Sequence, residues 1–149
     1  MTGPHFVDSN VFVYRHDRDV PDKQARAQEL LERLWRAHSG RVSEQVLSEL
    51  YVVATRKLAT PLPQDVARRE IRQLESWRPV PITIDVHEDA WELEDRFSLS
   101  CWDALIVAAA RAAGCTQLFS EDMQDGLVID GMRIVNPFAR TLDQLELAD

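Results

Sequence analysis

Apolar residues along the chain form short continuous runs that alternate with longer stretches of helical periodicity. Phe6-Val7 is such a run, and it predicts a buried strand that finishes at a polar turn. Thr116–Phe119 and Met132–Val135 predict two further strands of the same kind. Val80–Val86, which is entered through two prolines, is predicted to be a strand as well, and residues 41–43 form a short strand or connector.

Five stretches repeat apolar residues at intervals of three and four, which predicts amphipathic helices. The first helix follows Pro21 and is stopped by Gly40, and the last one ends before Gly114. The second to fifth helices are predicted over Glu44–Leu58, Gln64–Trp77, His87–Phe97 and Cys101–Ala113. Strands that alternate with helices predict an α/β domain with a mostly parallel sheet.

The composition favours one soluble globular domain with a packed core, since 45% of the 149 residues are hydrophobic and 28% are charged. The longest apolar run, Ala104–Ala110, is far shorter than a membrane span, and the first residues lack a secretory signal pattern. Cys101 and Cys115 would stand about 21 Å apart on one helix, so no disulfide is expected. We therefore expect a cytoplasmic protein that makes no membrane contact.

The net charge of −8 argues against nonspecific coating of nucleic acid, but this charge is unevenly distributed. Residues 1–78 carry 13 Lys and Arg against 11 Asp and Glu, whereas residues 79–149 carry 4 against 14. A polyanionic partner is therefore expected to contact the first half of the chain or a bound cation. Ten of these basic residues could line such a contact: Arg15, Arg18, Arg26, Arg33, Arg36, Arg56, Lys57, Arg68, Arg69 and Arg72.

Four carboxylates occupy positions that favour a shared polar site. Ligands of open α/β sheets bind at the carboxyl ends of the strands, and Asp8 and Asp122 follow two predicted strands there. Glu49 and Asp103 lie on predicted helices, with mainly apolar neighbours three and four positions away. Four like charges about 5 Å apart would repel by roughly 3 kcal/mol per pair, so such a cluster needs a cation. Oxygen ligands without His or Cys indicate Mg²⁺ or Mn²⁺, which serve phosphoryl chemistry.

Each carboxylate also has a purely structural interpretation. Asp8 or Asp122 could cap a helix or form a turn, and Glu49 could extend from its helix into solvent. The segment Ser100-Cys101-Trp102-Asp103 matches the capping-box pattern, which alone would explain Asp103. The conjunction of two strand-end acids with two helix acids nevertheless favours the shared site.

The order of these motifs resembles the PIN-domain ribonucleases, and most of all the VapC-type toxins of toxin-antitoxin modules. The segments that carry the resemblance are Phe6-Val7-Asp8-Ser9-Asn10-Val11-Phe12, Ser48-Glu49-Leu50-Tyr51, Cys101-Trp102-Asp103-Ala104-Leu105-Ile106, Phe119-Ser120-Glu121-Asp122-Met123 and Ile134-Val135-Asn136-Pro137-Phe138. Each motif alone is weak, whereas several in this order, over nearly the whole chain, form a strong signal.

The resemblance implies a single PIN-like domain over residues 1–149, with a three-layer α/β/α fold whose central, mostly parallel sheet is flanked by helices. It also implies a metal-dependent endoribonuclease that acts on RNA as the toxin of a toxin-antitoxin pair. Its Mg²⁺ or Mn²⁺ ions, its homodimer and a cognate antitoxin in the acidic groove belong to the same expectation. The implied catalytic and metal-holding residues are Asp8, Glu49, Asp103 and Asp122, supported by Asn10 and Ser120, with Glu121 and Asp125 competing for the fourth acidic position.

Other classes of protein fit the sequence less well. A receiver domain or a haloacid-dehalogenase-like phosphatase needs a lysine late in the chain, and only Lys23 and Lys57 are present. A Gly-x-Ser-x-Gly elbow of a serine hydrolase is missing from the sequence. The alternative that stays open is a non-catalytic module of the same fold that binds a peptide or antitoxin-like partner in its acidic groove. The four tryptophans are expected to be core or interface anchors rather than platforms for RNA bases.

Overall fold

A five-stranded sheet forms the centre of the computed structural model, which describes residues 3–147. The strands lie in the order β2-β1-β3-β5-β4. Strand β1 pairs in parallel with β2 and β3, and β3 pairs in parallel with β5, whereas β4 runs antiparallel to β5. The predicted, mostly parallel sheet is thereby confirmed. Its strands are β1 (His5–Val7), β2 (Gly40–Arg41), β3 (Gln117–Phe119), β4 (Val128–Ile129) and β5 (Met132–Val135).

Six α-helices are described around this sheet, consistent with the α/β/α arrangement expected from the sequence. Helix α1 packs on α2 and α3, α3 packs on α4, and α5 packs on α6. None of the helices within residues 3–147 is long and apolar enough to cross a membrane. The helices are α1 (Ser9–Arg15), α2 (Pro21–Arg36), α3 (Glu44–Arg56), α4 (Gln64–Gln73), α5 (Ile84–Phe97) and α6 (Cys101–Ala112), and a 3-10 turn over Leu74–Trp77 follows α4.

Local sequence explains where several of these helices begin and end. Ser43, Thr83 and Ser100 precede α3, α5 and α6, and each hydroxyl accepts a hydrogen bond from the backbone N–H three positions further on, at 3.3, 3.4 and 3.1 Å. These bonds satisfy donors that a helix leaves free at its first turn. Gly114, with a φ of 71°, follows α6 and adopts the left-handed conformation that was predicted to end it.

The predicted strand Val80–Val86 is wrong for most of its length. Only Val80 pairs with another segment, through a single parallel bridge to Ser43, and α5 already begins at Ile84. The prolines at 79 and 81 have no N–H to donate, so the segment cannot form a regular ladder. The apolar residues from position 82 onwards therefore belong to a connector and to the first turns of a helix.

One α-helix and one strand were not predicted, for different reasons. The apolar residues Val11–Tyr14 lie in α1, which is too short for its periodicity to stand out from a second apolar run. Strand β4 forms a hairpin with β5 through Asp130 and Gly131, whose φ angles are 49° and 87°. An Asp-Gly pair is a strong sequence signal for such a turn, so this strand was accessible to prediction.

Gly40 plays a different role from the predicted one. Helix α2 ends at Arg36, and the residue in the left-handed conformation after it is His38, with a φ of 53°. Gly40 instead opens strand β2, where the nearest atom of the Trp77 ring would lie 2.4 Å from an added Cβ. Its lack of a side chain therefore allows the indole to pack directly on the edge of the sheet.

Replacing Gly40 with alanine is expected to lower the free energy of unfolding by about 1–3 kcal/mol, because the new methyl group overlaps the buried Trp77 ring. Urea unfolding followed by circular dichroism measures this change. Ser39→Ala is the matched control, since it removes a buried hydroxyl without a hydrogen-bond partner among residues 3–147. It is expected to cost less than about 0.5 kcal/mol. A Gly40→Ala variant as stable as the control would contradict the close packing.

Candidate active site

The carboxyl ends of β1 and β3 bring two polar segments of the chain together. Val7 and Phe119 are paired in the parallel ladder, so Asp8 and Ser120 leave the sheet side by side. The backbone N–H of Asp8 donates to the carbonyl of Phe119 at 3.0 Å, which extends the ladder by one bond. The side chains that follow these strands therefore meet at the carboxyl end of the parallel strands, as expected for an open α/β fold.

Asp8, Asn10, Ser120 and Asp122 form one hydrogen-bonded group at this end of the strands. The Ser120 hydroxyl donates to Asp8 Oδ2 at 2.8 Å. The Asn10 amide Nδ2 lies 3.4 Å from Asp8 Oδ2, 3.3 Å from Ser120 Oγ and 3.2 Å from Asp122 Oδ2. The backbone N–H of Asp122 also donates to Ser120 Oγ, at 3.2 Å. Asn10 and Ser120 thus fix the positions of both strand-end carboxylates.

Glu49 reaches the same region from helix α3 and is held on both of its oxygens. The hydroxyl of Ser9 donates to Glu49 Oε2 at 3.0 Å. Gln45, one helical turn earlier, donates from Nε2 to Glu49 Oε1 at 2.8 Å and to the carbonyl of Trp102 at 3.3 Å. Because Ser9 lies next to Asp8, this pair of bonds connects Glu49 to the strand-end group on one side and to helix α6 on the other.

Asp103 stands in the first turn of α6, where Ser100 acts as the capping residue. Burial raises the pKa of Asp103, and the nearby charges of Asp122 and Glu49 raise it as well, whereas the Ser100 hydrogen bond lowers it. The net effect is a raised pKa. The capping interaction is therefore real, yet the Asp103 carboxylate also feels two of the other three acids.

The electrostatic cost of the group falls mainly on Asp8, which is only 5% exposed. Burial raises the pKa of Asp8 to about 6, and the charges of Glu49 and Asp122 act in the same direction. Hydrogen bonds from Ser120 and from the backbone of Ser9 oppose this shift without cancelling it. At neutral pH the protein therefore holds a buried, ionised carboxylate among other negative charges.

The two acids that compete with Asp122 are both engaged elsewhere. Glu121 accepts hydrogen bonds from the hydroxyl of Tyr14 and from Lys23 Nζ, each at 2.5 Å. Asp125 accepts from the backbone N–H of Asn136 at 2.8 Å and forms an ion pair with Arg140. Each has a cationic partner of its own, whereas Asp122 is joined to Asp8 through Asn10. The geometry thus places Asp122, rather than its two neighbours, with the strand-end group.

The donor set suits a hard divalent cation in its chemistry. It consists of carboxylate oxygens, with hydroxyl and amide groups as supports, and the raised pKa of Asp8 marks a site where positive charge would be stabilising. The carboxylates lie further apart than the ligands of a bound metal ion would. Within residues 3–147, no three side chains of His, Cys, Asp or Glu stand close enough together to hold one ion. The four carboxylates are a linked group whose members would have to draw closer around an ion.

Two residues of this site received no role from the sequence. Ser9 was read only as part of a polar turn, although its hydroxyl holds Glu49. Gln45 precedes Glu49 by four positions on a helix, and this spacing is a signal for a side-chain contact. Of the four tryptophans, Trp77 is buried in the core as expected, whereas Trp91 and Trp102 are 54% and 66% exposed, so for these two only the interface role expected from the sequence stays open.

The fold and the acidic group together define an α/β domain with a carboxylate site at the ends of its parallel strands. A family model described as PIN domain matches residues 5–124, and the chain therefore belongs to the PIN domain family. A comparison with curated proteins finds no match to the sequence.

Two solved structures share this fold. One is a toxin-antitoxin complex from Klebsiella pneumoniae, with 21% identity and a TM-score of 0.64 over 89% of this chain and 97% of the other. The second is Mycobacterium tuberculosis VapC20, described as a sarcin-ricin loop cleaving toxin, with 25% identity and a TM-score of 0.57. That match covers 79% of this chain and 91% of the other. The similarity confirms the predicted PIN-like fold.

Replacing Asp8 with asparagine is expected to stabilise the metal-free protein by about 1–3 kcal/mol above pH 6. The pKa of Asp8 is about 6 in the folded protein and near 3.8 in the unfolded chain, so its ionisation opposes folding. This cost grows as the pH rises from about 4 to 6; it is small at pH 4 and vanishes well below pH 3.8, where both states are protonated. Thermal unfolding in chelator at pH 4 and pH 7.5 measures the difference.

Asp125→Asn is the control for this experiment. Burial alone would raise the pKa of Asp125, but the backbone of Asn136 and the Arg140 ion pair outweigh it and lower the pKa. Its loss is therefore expected to lower the melting temperature at neutral pH, opposite to Asp8→Asn. A melting temperature of Asp8→Asn that equals the wild type at both pH values would contradict the electrostatic cost.

Proposed function

We propose that this protein is a metal-dependent endoribonuclease that hydrolyses RNA phosphodiester bonds. The observation that carries the proposal is the linked group of Asp8, Glu49, Asp103 and Asp122 at the ends of the parallel strands of a PIN domain. These four acids are the proposed catalytic and metal-holding residues. Mg²⁺ or Mn²⁺ bound there would activate water and neutralise the charge that develops on the phosphate.

The chain's own residues prepare this site before any ligand arrives. Asn10 and Ser120 hold Asp8 and Asp122 on one side of the site through hydrogen bonds of 2.8 to 3.4 Å, so these two carboxylates are already oriented toward each other. Glu121 and Asp125, proposed at first as further candidates, have their charges offset by Lys23 and Arg140. We assign them supporting roles outside the reaction, and Asp122 takes the fourth acidic position.

Basic residues of the first half of the chain are proposed to contact the RNA backbone. Of the ten basic side chains considered, Arg15 and Arg26 are occupied by Glu70 and by backbone carbonyls. An exposed set remains on α4 and at the end of α3, two helices that pack on each other. Such a surface would offset the repulsion between RNA and the acidic second half. The exposed set is Arg56, Lys57, Arg68, Arg69 and Arg72.

We further propose that the protein is the toxin of a toxin-antitoxin pair. The support is the likeness to a structure described as a toxin-antitoxin complex and to VapC20, described as a sarcin-ricin loop cleaving toxin. A cognate antitoxin would place a segment in the acidic groove, and the toxin itself would form a homodimer. The reaction would take place in the cytoplasm, a compartment that suits the unpaired Cys101 and Cys115.

Asp103→Asn is expected to abolish RNA cleavage with little change in melting temperature. The reason is that Ser100 continues to cap α6 in the variant, while the carboxylate is lost from the acidic group. A cleavage assay on total RNA, read by primer extension, measures the activity. Glu121→Gln and Asp125→Asn are the matched controls and are expected to cleave, whereas Asp122→Asn is not. Retained cleavage by Asp103→Asn would remove Asp103 from the site.

Calorimetric titration of Mn²⁺ into the metal-free protein tests the site without a known RNA substrate. We expect binding by the wild type and a loss of at least tenfold in affinity in Asp8→Asn, because a buried ligand and one negative charge are removed. Mn²⁺ is also expected to raise the melting temperature of the wild type. Failure of the wild type to bind Mn²⁺ would favour the alternative, a non-catalytic module that binds a peptide or antitoxin-like partner, which the loose spacing of the carboxylates also permits.

A further inference from the structure

A cavity of about 830 Å³ lies directly beside the acidic group and shares Glu49 with it. Gln45, Ser48 and His87 contribute polar side chains to its wall, and Trp102 contributes an aromatic one. This volume lies within the range of small-molecule sites, roughly 300 to 1,000 Å³. Anything bound in the cavity would sit next to the carboxylates at which we propose the phosphodiester is cut.

Trp102 presents its indole to solvent while its backbone is held in place. The residue is 66% exposed, although large aromatic side chains are usually well buried. Its carbonyl accepts a hydrogen bond from Gln45, which also binds Glu49, and it directly precedes Asp103. The backbone of Trp102 is thus held close to Glu49 and Asp103 while its indole stays exposed, which is the arrangement of a stacking platform next to a reaction site.

The polar groups of the cavity determine which class of ligand it could bind. Among its described lining residues there is no Lys or Arg, and two carboxylates, Glu44 and Glu49, are present, so a phosphate would be repelled. Gln45 directs its Nε2 to Glu49 and to the carbonyl of Trp102, and its Oε1 is buried from solvent. Most of the exposed wall is apolar, and the acceptors that a ligand could reach are those of the exposed Glu44 carboxylate, which favours a flat, neutral ligand that carries amino donors.

We propose that this cavity binds an unpaired nucleobase of the RNA, next to the cleaved phosphodiester, by stacking on Trp102. The Glu44 carboxylate on this apolar wall favours a base with an exocyclic amino group and disfavours uracil, whose ring offers one N–H donor and two carbonyls. The proposal rests on the ribonuclease function proposed above. It assigns Trp102 to substrate specificity, a role that the sequence had not suggested for any tryptophan.

Binding of fluorescently labelled rC6 and rU6 in chelator, read by anisotropy, tests the proposal without cleavage. Cytosine and uracil are similar in size and differ mainly at the amino or carbonyl group, so the pair isolates the predicted selection. We expect rC6 to bind the wild type more tightly than rU6. Trp102→Ala should weaken rC6 binding by roughly 5- to 150-fold, the range for one lost base stack, and Trp102→Phe should retain most of the affinity.

Trp91→Ala is the matched control, because Trp91 is also exposed but lies outside the cavity. It is expected to bind rC6 like the wild type. Equal affinities for rC6 and rU6, or a Trp102→Ala variant that binds like the wild type, would overturn the proposal. Sedimentation of Trp102→Ala adds a third test: a change in mass with unchanged rC6 affinity would make this face a contact between two copies of the chain.

The cleavage assay separates failure of this site from failure of the ribonuclease function. Wild-type cleavage of RNA together with rC6 affinity that does not depend on Trp102 would reject the base site and leave the ribonuclease standing. Selective binding of rC6 through Trp102 by a protein that cuts none of the RNA offered would support the base site and count against the ribonuclease.

Discussion

The burial of an ionised carboxylate at the end of β1 is the constraint on which the rest of the site depends. Asp8 is nearly inaccessible to water, and its charge has to be compensated by donors from the protein. Ser120 and Asn10 supply those donors, and the backbone of Ser9 adds another. A polar residue after β3 is useful only because β3 lies directly beside β1. The chemistry of the site therefore requires that β3 lies next to β1 in the sheet.

Most of the helices could be predicted from the sequence, because their apolar residues repeat along one face and their boundaries carry ordinary signals. The errors arose where local signals conflicted with context. Prolines around Val80 were read as the entrance to a strand, although they remove the donors that a strand requires. Gly40 was interpreted as the end of a helix, whereas its role is to admit the Trp77 ring, which no local pattern reveals. The contact between them joins residues 37 positions apart.

The acidic residues could be proposed from the sequence, since strand ends and apolar helix faces are unusual places for carboxylates. The hydrogen bonds that connect these residues could not be predicted. The contact of Ser9 with Glu49 depends on the packing of α1 against α3, and the partners of Glu121 come from two helices, at separations of 107 and 98 positions. The exposure of Trp102 was likewise outside the reach of periodicity, which does not separate a core residue from a surface platform.

The distribution of the site along the chain has a consequence for the order in which the molecule forms. The hydrogen bond between Ser120 and Asp8 closes a separation of 112 residues, and β3 is the strand that brings them together. A growing chain that has not yet reached β3 holds Asp8, Glu49 and Asp103 without the donor that fixes the first of them. Assembly of the acidic group thus has to wait for β3, because β1 gains its central neighbour only when residues 117–119 have been synthesised.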